Sequence, residues 1–375
     1  MPDTIDIAIC GAGPVGLALA VLLVKRGTDA ARIVLIDAKP VEVAAQDPRS
    51  IALSYGSRQL LEEVDAWPSS TTAIHQIHVS RRGHFGRTLI DRDTYHLPAL
   101  GYVARYGALV NALSAQAGRM AIPAFRPAQV VSVTAHENAV DIRLSDERAI
   151  RAGIVVQAEG GVFADQQEKS LRKDYEQTAV VAHVIADAPV AHRAYERFTA
   201  EGPLALLPQD DGYALVWCAR PDTAAHLLKL SDPAFLAELG HAFGERLGRF
   251  TAVSRRSSYP LGLNAHPPGS DRIIAIGNAA QTLHPVAGQG LNLGLRDAAV
   301  LARLLAQGAT PAMLARYAAL RERDRSLTVR LTDTMARIFA NDTPAQSLLG
   351  ASLAAIDLIG PARSVLAELM MYGRR

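Results

Sequence analysis

The hydrophobic positions near the N-terminus follow the pattern of a strand, a helix and a second strand. Residues 5–10 form a short apolar run, residues 17–23 place leucine and valine at helical spacing, and residues 33–36 form a second apolar run. This order is typical of a parallel βαβ unit. Near residue 273 a third apolar run precedes a loop and a helical pattern that continues from residue 291. Both ends of the chain are therefore predicted to build one parallel-sheet domain.

The middle of the chain carries the pattern of an antiparallel sheet. Residues 209–212 (Gln-Asp-Asp-Gly) have the composition of a hairpin turn. Strands are predicted within residues 74–90 and at 130–133, 140–144, 154–158, 180–185, 203–208, 213–218 and 257–263, and a helix at 101–118. The predicted fold class is α/β: a Rossmann-like nucleotide-binding domain with an inserted antiparallel-sheet domain and a helical C-terminus.

A glycine-rich turn joins the first predicted strand to the first predicted helix. Its residues are Gly11, Ala12, Gly13, Pro14, Val15 and Gly16, and Asp37 follows the last of these glycines by 21 positions. The spacing matches the dinucleotide-binding fingerprint, in which the glycines allow a tight turn, a close pyrophosphate and close helix packing. The acid at Asp37 is expected to accept hydrogen bonds from a ribose.

A second glycine-rich loop follows the apolar run at 273–276. Gly288, Gly290 and Gly294 remove side chains where the next helix is predicted to begin, and Pro285 stiffens the loop before it. Backbone N–H groups at such a helix start can approach a flat or anionic ligand. The alternative is an ordinary strand-to-helix turn with incidental glycines.

Composition narrows the class of protein further. The 375-residue chain is 49% hydrophobic and has a formal net charge of +2, which is typical of a folded globular protein and gives no support to nucleic-acid binding. Its two cysteines, Cys10 and Cys218, are too few for a disulfide framework or a metal site. We expect no signal peptide, no membrane span, no metal and a cytoplasmic location. No GxSxG or HExxH motif indicates a nucleophile or a zinc site.

Together these motifs resemble the flavin-dependent aromatic hydroxylases of the p-hydroxybenzoate hydroxylase type. Within that family the similarity is greatest to the ubiquinone-biosynthesis hydroxylases that act on 2-polyprenyl-6-methoxyphenols. The most specific segment is GNAAQTLHP at residues 277–285. Further segments that carry the resemblance are RSIAL at 49–53, HVSRRGHFG at 78–86, YEQ at 175–177, ERFT at 196–199, GPLA at 202–205 and LVWC at 215–218.

The resemblance implies FAD as cofactor, NAD(P)H as a transient electron donor, and O2. Chemistry would proceed through a flavin C4a-hydroperoxide that attacks the phenol ring. Besides the first glycine motif and Asp37, the implied cofactor-binding residues are Arg49, Glu159, Gly277, Asn278, Pro285, Gly288, Gln289, Gly290, Leu291 and Asn292. Two of them depart from the broader family pattern: Asn278 stands where most relatives have Asp, and Glu159 begins a Glu-Gly-Gly sequence in place of Asp-Gly.

The resemblance implies three regions. These are a discontinuous FAD-binding domain at 1–73, 97–174 and 266–330, a substrate-binding sheet domain at 74–96 and 175–265, and C-terminal helices at 331–375. Candidate substrate residues are His78, Ser80, Tyr213, Trp217 and His284. Four of them have a structural alternative: Tyr213 and Trp217 could belong to a core, His78 could simply border a strand turn, and His284, a weak candidate for catalysis, could equally be structural.

The sequence leaves three questions of function open. A small aromatic acid is an alternative substrate, and Arg193, Arg197 and Arg220 could then form a carboxylate clamp. A second alternative is a flavin-binding structural subunit of a biosynthetic complex. The C-terminal segment 364–371 carries an apolar face, which suits either peripheral contact with the inner face of the cell membrane, contact with a partner protein, or a packed terminal helix.

Overall fold

The computed structural model describes residues 5–47, 49–82, 87–159, 171–265, 270–280 and 289–322, without side chains at 171–175, 262–265 and 289. Predictions that concern His284, Pro285, Gly288 and residues 331–375 lie outside this part of the chain. The strands are β1 Ile5–Cys10, β2 Ile33–Ile36, β3 Ser50–Ser54, β4 Thr71–Ile74, β5 Gln76–Arg81, β6 Arg87–Asp91, β7 Gly101–Arg105, β8 Ala124–Phe125, β9 Val130–Ala135, β10 Val140–Leu144, β11 Ala149–Gln157, β12 Leu171–Ala186, β13 Arg193–Phe198, β14 Pro203–Gln209, β15 Gly212–Ala219, β16 Phe250–Val253, β17 Ser257–Ala265 and β18 Ile273–Ala275. The helices are α1 Pro14–Lys25, α2 Val41–Ala45, α3 Tyr55–Glu63, α4 Tyr106–Arg119, α5 Pro221–Lys229, α6 Asp232–Phe243 and α7 Gln289–Leu305. Residues 311–322 are also helical.

The first sheet brings the two ends of the chain together. Its strand order is β8-β2-β1-β11-β10-β9, and β18 pairs with β11. The pairs β1–β2, β1–β11 and β11–β18 are parallel, so the carboxyl ends of these strands meet at one edge. Helices α1, α4 and α7 bury leucines against one face of this sheet. The prediction of a parallel βαβ unit at the N-terminus, extended by the late strand near residue 273, is confirmed.

The second sheet is the predicted mostly antiparallel one. Its order is β16-β12-β15-β14-β13-β5-β6, with β17 also paired to β12. Residues 209–212 form the hairpin between β14 and β15 as predicted, with Asp210 at φ 51°. Helices α5 and α6 cover one face of the sheet, where Trp217 packs beside Phe235 and the buried Tyr213 donates a hydrogen bond to the Val190 carbonyl.

A third, three-stranded sheet of order β3-β7-β4 lies between these two parts. It corrects the predicted helix at 101–118, because residues 101–105 are strand β7 and the helix begins only at Tyr106. Strand β7 is held between β3 and β4 by antiparallel pairing. Gly101 permits the close approach to β3, since a Cβ there would lie 2.7 Å from the Leu53 carbonyl oxygen.

Within the described residues, no helix has the length and apolar character needed to cross a bilayer.

Candidate functional site

The turn between β1 and α1 is built for a ligand that approaches the backbone. Gly11 has φ +106°, and a Cβ on it would lie 2.6 Å from the Ala158 carbonyl carbon. A Cβ on Gly16 would lie only 1.9 Å from the Gly11 carbonyl oxygen. Helix α1 starts after Gly13 with no side-chain cap and no acidic residue in its first turn. Its N-terminal N–H groups are therefore available for an anion such as a pyrophosphate.

Asp37 is fixed against this turn. Its Oδ2 accepts a hydrogen bond from the Ala12 N–H at 2.7 Å, and its Oδ1 accepts one from the Lys39 N–H at 2.8 Å. Each carboxylate oxygen has a further lone pair, so the group can still accept from a ribose hydroxyl. The guanidinium of Arg126 lies 4.0 Å away, and its buried Nη2 has no hydrogen-bond partner among the described residues. This orphaned donor is consistent with a bound polar ligand beside Asp37.

Glu159 follows β11 directly and borders the same turn. Its backbone nitrogen lies 2.6 Å from the position that a Cβ of Gly11 would occupy. Burial, and secondarily the negative charge of Asp37, raise the pKa of the Glu159 carboxyl to about 7. The broader family has Asp here, and the structure places the longer side chain in a site where its ionised form is disfavoured.

The raised pKa of Glu159 predicts that its effect on the stability of the folded protein depends on pH. Because the pKa of Glu159 is raised in the folded state, ionisation of its carboxyl opposes folding. Glu159 therefore lowers the free energy of unfolding increasingly as pH rises from about 4.5 to about 7. At pH 8 we expect the Glu159→Gln apoprotein to be more stable than wild type by about 1 kcal/mol, a value reduced for partial solvent exposure. At pH 5 the two should be equally stable. Thermal unfolding across this range measures the difference, and an unchanged difference at both pH values would contradict the prediction.

Helix α7 brings the late motif onto the first glycine motif. A Cβ on Gly294 would lie 2.7 Å from Val15 Cγ2 and 3.2 Å from Gly277 Cα, so only glycine lets these three positions meet. The Gly277 N–H donates to Asp297 Oδ2 at 3.1 Å, and Asp297 Oδ1 accepts from Arg321 Nε at 2.7 Å. Asp297 on α7 thus holds the backbone at Gly277, the first of the predicted cofactor-binding residues in the late motif. The sequence motifs do not indicate this role of Asp297.

The start of α7 places the remaining predicted cofactor residues near each other. A Cβ on Gly290 would meet Asn278 Oδ1 at 3.8 Å, an ordinary contact. The described residues therefore leave room for a side chain at Gly290, and a ligand as the reason for the glycine stays a prediction. Asn292 is buried, and its side chain bonds to β3 and α3: Oδ1 accepts from Ser54 N and Ser57 Oγ, and Nδ2 donates to Ala52 O. The Asn292 side chain therefore joins α7 to β3 and α3, and the flavin contacts of Leu291 and Asn292 stay predictions.

Arg49 lies where the two sheets approach the glycine turn. It pairs with Asp47 at 2.7 Å, and its guanidinium carbon lies 4.7 Å from the Tyr106 ring centroid and 5.4 Å from that of Tyr259. The Tyr106 hydroxyl in turn lies 3.2 Å from the position of a Gly13 Cβ. Tyr106 therefore lies beside both Arg49 and the glycine turn, and cofactor binding by Arg49 stays a prediction. The motifs did not indicate that Tyr106 and Tyr259 would lie here.

The predicted substrate residues on the large sheet lie on its helix-covered face. Tyr213 and Trp217 belong to the core formed with α5 and α6. His78 is buried, its ring lies 5.6 Å from that of Tyr195, and burial and the charge of Arg246 lower its pKa. Ser80 is buried beside the Arg197 guanidinium. This placement favours a role in the core for Tyr213 and Trp217. It favours a structural role for His78 and Ser80 as well.

The opposite face of the large sheet carries a different surface, which we call the central row. Paired positions across six strands align Val79, Glu196, Ala205, Val216, Val181 and Ser257. Directly paired residues point to the same face. Every member of the row is half-buried, whereas the helix-covered face is largely buried. The central row is therefore a partly open and mostly apolar surface, as a pocket for an aromatic or aliphatic ligand requires.

The described residues fit FAD. The glycine turn and the open start of α1 suit the pyrophosphate, Asp37 suits the adenosine ribose, and the neighbouring Gly277 and Asn278 lie against α7 where the rest of the cofactor would extend.

Comparison with known proteins agrees with this geometry. The family model described as FAD binding domain matches residues 4–331. The ubiquinone hydroxylase UbiL of Rhodospirillum rubrum is 33% identical over 95% of this chain and 87% of its own length. The 3-demethoxyubiquinol 3-hydroxylase of Escherichia coli is 29% identical over 90% of this chain and 91% of its own. The p-nitrophenol 4-monooxygenase PnpA of Pseudomonas putida shares the fold with a TM-score of 0.78 at 18% identity, covering 99% of each chain. The chain therefore belongs to the FAD-binding family of flavin-dependent aromatic hydroxylases, and FAD is its cofactor.

Proposed function

We propose that this FAD-dependent monooxygenase hydroxylates the aromatic ring of a polyprenylated phenol, 2-polyprenyl-6-methoxyphenol, in ubiquinone biosynthesis. The electron donor is NAD(P)H and the oxidant is O2. The similarity to ubiquinone-biosynthesis hydroxylases supports the pathway. Within the structure, the observation that carries the proposal is the central row: an apolar, half-buried face suits a phenol ring with an apolar tail.

Bound FAD, once reduced, supplies an activated oxygen atom to the substrate ring. The residues of the chain hold the cofactor, place the ring against it and exclude water. The turn at Gly11–Gly16 and Asp37 would hold the ADP half, and Gly277, Asn278 and the start of α7 would hold the other half. Because an isoprenoid tail partitions into a bilayer, peripheral contact with the membrane or with a biosynthetic complex is part of the proposal.

The positions of the three candidate clamp arginines argue against a small aromatic acid as the substrate. The Arg193 guanidinium donates to Gln76 Oε1 at 2.6 Å, and that of Arg197 donates to the Ala242 carbonyl at 3.1 Å. Both lie on the helix-covered face because they align with Gln76 and Ser80, while Arg220 is exposed at the start of α5. These three side chains therefore do not converge on the central row, as a carboxylate clamp would require.

The test uses the FAD-loaded full chain and a short-tailed 2-prenyl-6-methoxyphenol. We expect flavin absorbance bands, NAD(P)H oxidation that the phenol stimulates about tenfold or more, and a product with one added hydroxyl. The matching O-methyl ether is the control, because it keeps the shape and loses the phenol hydroxyl. Flavin bands with no phenol-stimulated oxidation would contradict the proposal and favour the structural subunit.

A further inference from the structure

The central row contains one ionisable carboxyl. Glu196 pairs directly with Ala205 on one side and Val79 on the other, and Val216 and Val181 continue the row beyond Ala205. Apolar neighbours give a carboxylate nothing to bond to, and an unpaired charge in such surroundings costs stability. An acid at this position therefore needs either a hydrogen-bond partner or a functional reason.

The described residues provide no partner. Neither oxygen of the Glu196 carboxyl has a hydrogen bond or an ion pair within the part of the chain that the structure describes. Burial raises its pKa to about 7, so that near neutral pH both the ionised and the protonated form are populated. The charge of Glu196 also contributes to the raised pKa of the buried Cys218 thiol, which lies in the adjacent row. The Glu196 side chain therefore lies among apolar neighbours of the central row without a described hydrogen-bond partner.

Two contacts place this surface beside the cofactor-binding part of the chain. In the row on one side, Tyr259 pairs with Ala179 and lies against the Arg49 guanidinium. In the row on the other side, Ala194 packs with Ile74 and Val103 of the three-stranded sheet. Glu196 lies between these rows. It consequently faces the space between the large sheet and the site assigned to FAD.

We propose that Glu196 is a catalytic residue that accepts the proton of the substrate's phenol hydroxyl during ring hydroxylation. The proposal rests on the proposed function. In this step the phenol O–H bond breaks, the proton forms a new O–H bond with a carboxylate oxygen of Glu196, and the electron pair of the broken bond stays on the phenol oxygen. That pair makes the ring more electron-rich at the carbon that gains oxygen. The proton leaves to solvent after the product is released.

The neighbouring ionisable groups are less suited than Glu196 to accept the phenol proton. On this face, Tyr259, Cys218 and Arg81 lie in one adjacent row and His183 lies in the other. The Cys218 thiol is buried with a raised pKa, and the His183 ring nitrogen lies 3.2 Å from the Gln209 carbonyl oxygen. Burial raises the pKa of the Glu196 carboxyl to about 7, which suits a general base near neutral pH.

The experiment compares FAD-loaded wild type, Glu196→Gln and Glu238→Gln. The control removes the same charge from an exposed position on α6, on the other side of the sheet. For wild type, kcat should rise with pH through about 7, because the base must be ionised. Glu196→Gln should lower kcat at pH 7.5 on the order of 100-fold. Its remaining rate should rise only toward the ionisation of the free phenol near pH 10, for which tyrosine is the guide.

Binding to the oxidised enzyme gives a readout that does not depend on turnover. The flavin absorbance change on adding 2-prenyl-6-methoxyphenol measures Kd. We expect Kd in wild type to fall as pH rises through 7, and Glu196→Gln to bind about tenfold more weakly above pH 7 with no such dependence. Glu238→Gln should match wild type in both measurements.

The outcomes separate the two proposals. If wild type binds FAD but neither binds nor hydroxylates the phenol, the proposed function is wrong. If wild type is active and Glu196→Gln keeps its kcat and its pH profile, the role of Glu196 is wrong. Loss of FAD content or of thermal stability in Glu196→Gln would assign the residue to structure and would equally overturn its role as a base.

Discussion

Replacing Gly16 with alanine is expected to give a protein that purifies without FAD and unfolds at a markedly lower temperature. The added Cβ would lie 1.9 Å from the Gly11 carbonyl oxygen and 3.3 Å from the Ala158 Cβ. Neither neighbour can move without a large cost in free energy. The Gly11 carbonyl belongs to the backbone of a turn with φ +106°, and Ala158 directly follows a central strand. The helix must move away from β1, at a cost of about 3 kcal/mol. The shift also moves the first N–H groups of α1 from the pyrophosphate position.

Gly118 provides the matched control for this substitution. It lies in α4, is exposed, and a Cβ there would meet nothing within 4 Å. Gly118→Ala should therefore retain full flavin content and gain about 0.5 kcal/mol of stability from helix propensity. Flavin absorbance per mole of protein and thermal unfolding measure both variants. A Gly16→Ala protein with normal FAD occupancy would show that the turn does not hold the pyrophosphate.

The glycine motifs could be predicted because they depend on local backbone geometry, which requires glycine at particular positions. A strand, a turn without side chains and a helix start require specific residues at specific spacing, and both turns show them. Their meeting in space could not be read from spacing. It depends on the contact of Gly294 with Val15 and Gly277, which exists only once α7 packs on α1.

The helix predicted at 101–118 shows the limit of local pattern. Residues 106–119 are helical as expected, but residues 101–105 form a strand because β3 and β4 are available on both sides. That pairing joins positions about 30 to 50 residues apart in the chain, so a short window cannot detect it. The start of α4 is therefore set by the pairing of β7 with β3 and β4, and not by the helix propensity of residues 101–105.

The choice of substrate residues depended on which face of the large sheet is covered. Strands β5 and β15 alternate two faces, and the aromatic residues Tyr213 and Trp217 drew attention to one of them. In the structure α5 and α6 cover that face, and the smaller residues of the central row lie on the other. Alternation tells which residues share a face but not which face meets a ligand. Glu196 was visible in the sequence only as part of the ERFT segment, and its isolation among apolar neighbours became apparent from strand register.

The buried pair of Asp297 and Arg321 is expected to couple folding to cofactor binding. Asp297 is fully buried and the Arg321 side chain is 5% exposed. Asp297→Ala would deprive a buried guanidinium of this carboxylate, which typically costs about 3 to 5 kcal/mol. It would also remove the acceptor of the Gly277 N–H, at the start of the segment predicted to bind the flavin. We therefore expect a large fall in thermal stability together with loss of FAD from the purified protein.

A double variant separates these two effects of Asp297. Replacing a buried pair with apolar residues is often close to neutral, so Asp297→Leu combined with Arg321→Met should recover much of the stability lost in Asp297→Ala. It should not recover FAD, because the Gly277 N–H still lacks its acceptor. The surface pair Arg32–Asp6, at 2.6 Å, is the control, and Asp6→Ala should change stability by less than about 1 kcal/mol with full FAD content. If the double variant binds FAD normally, Asp297 stabilises the fold without positioning Gly277, and the coupling proposed between the buried pair and the cofactor is absent.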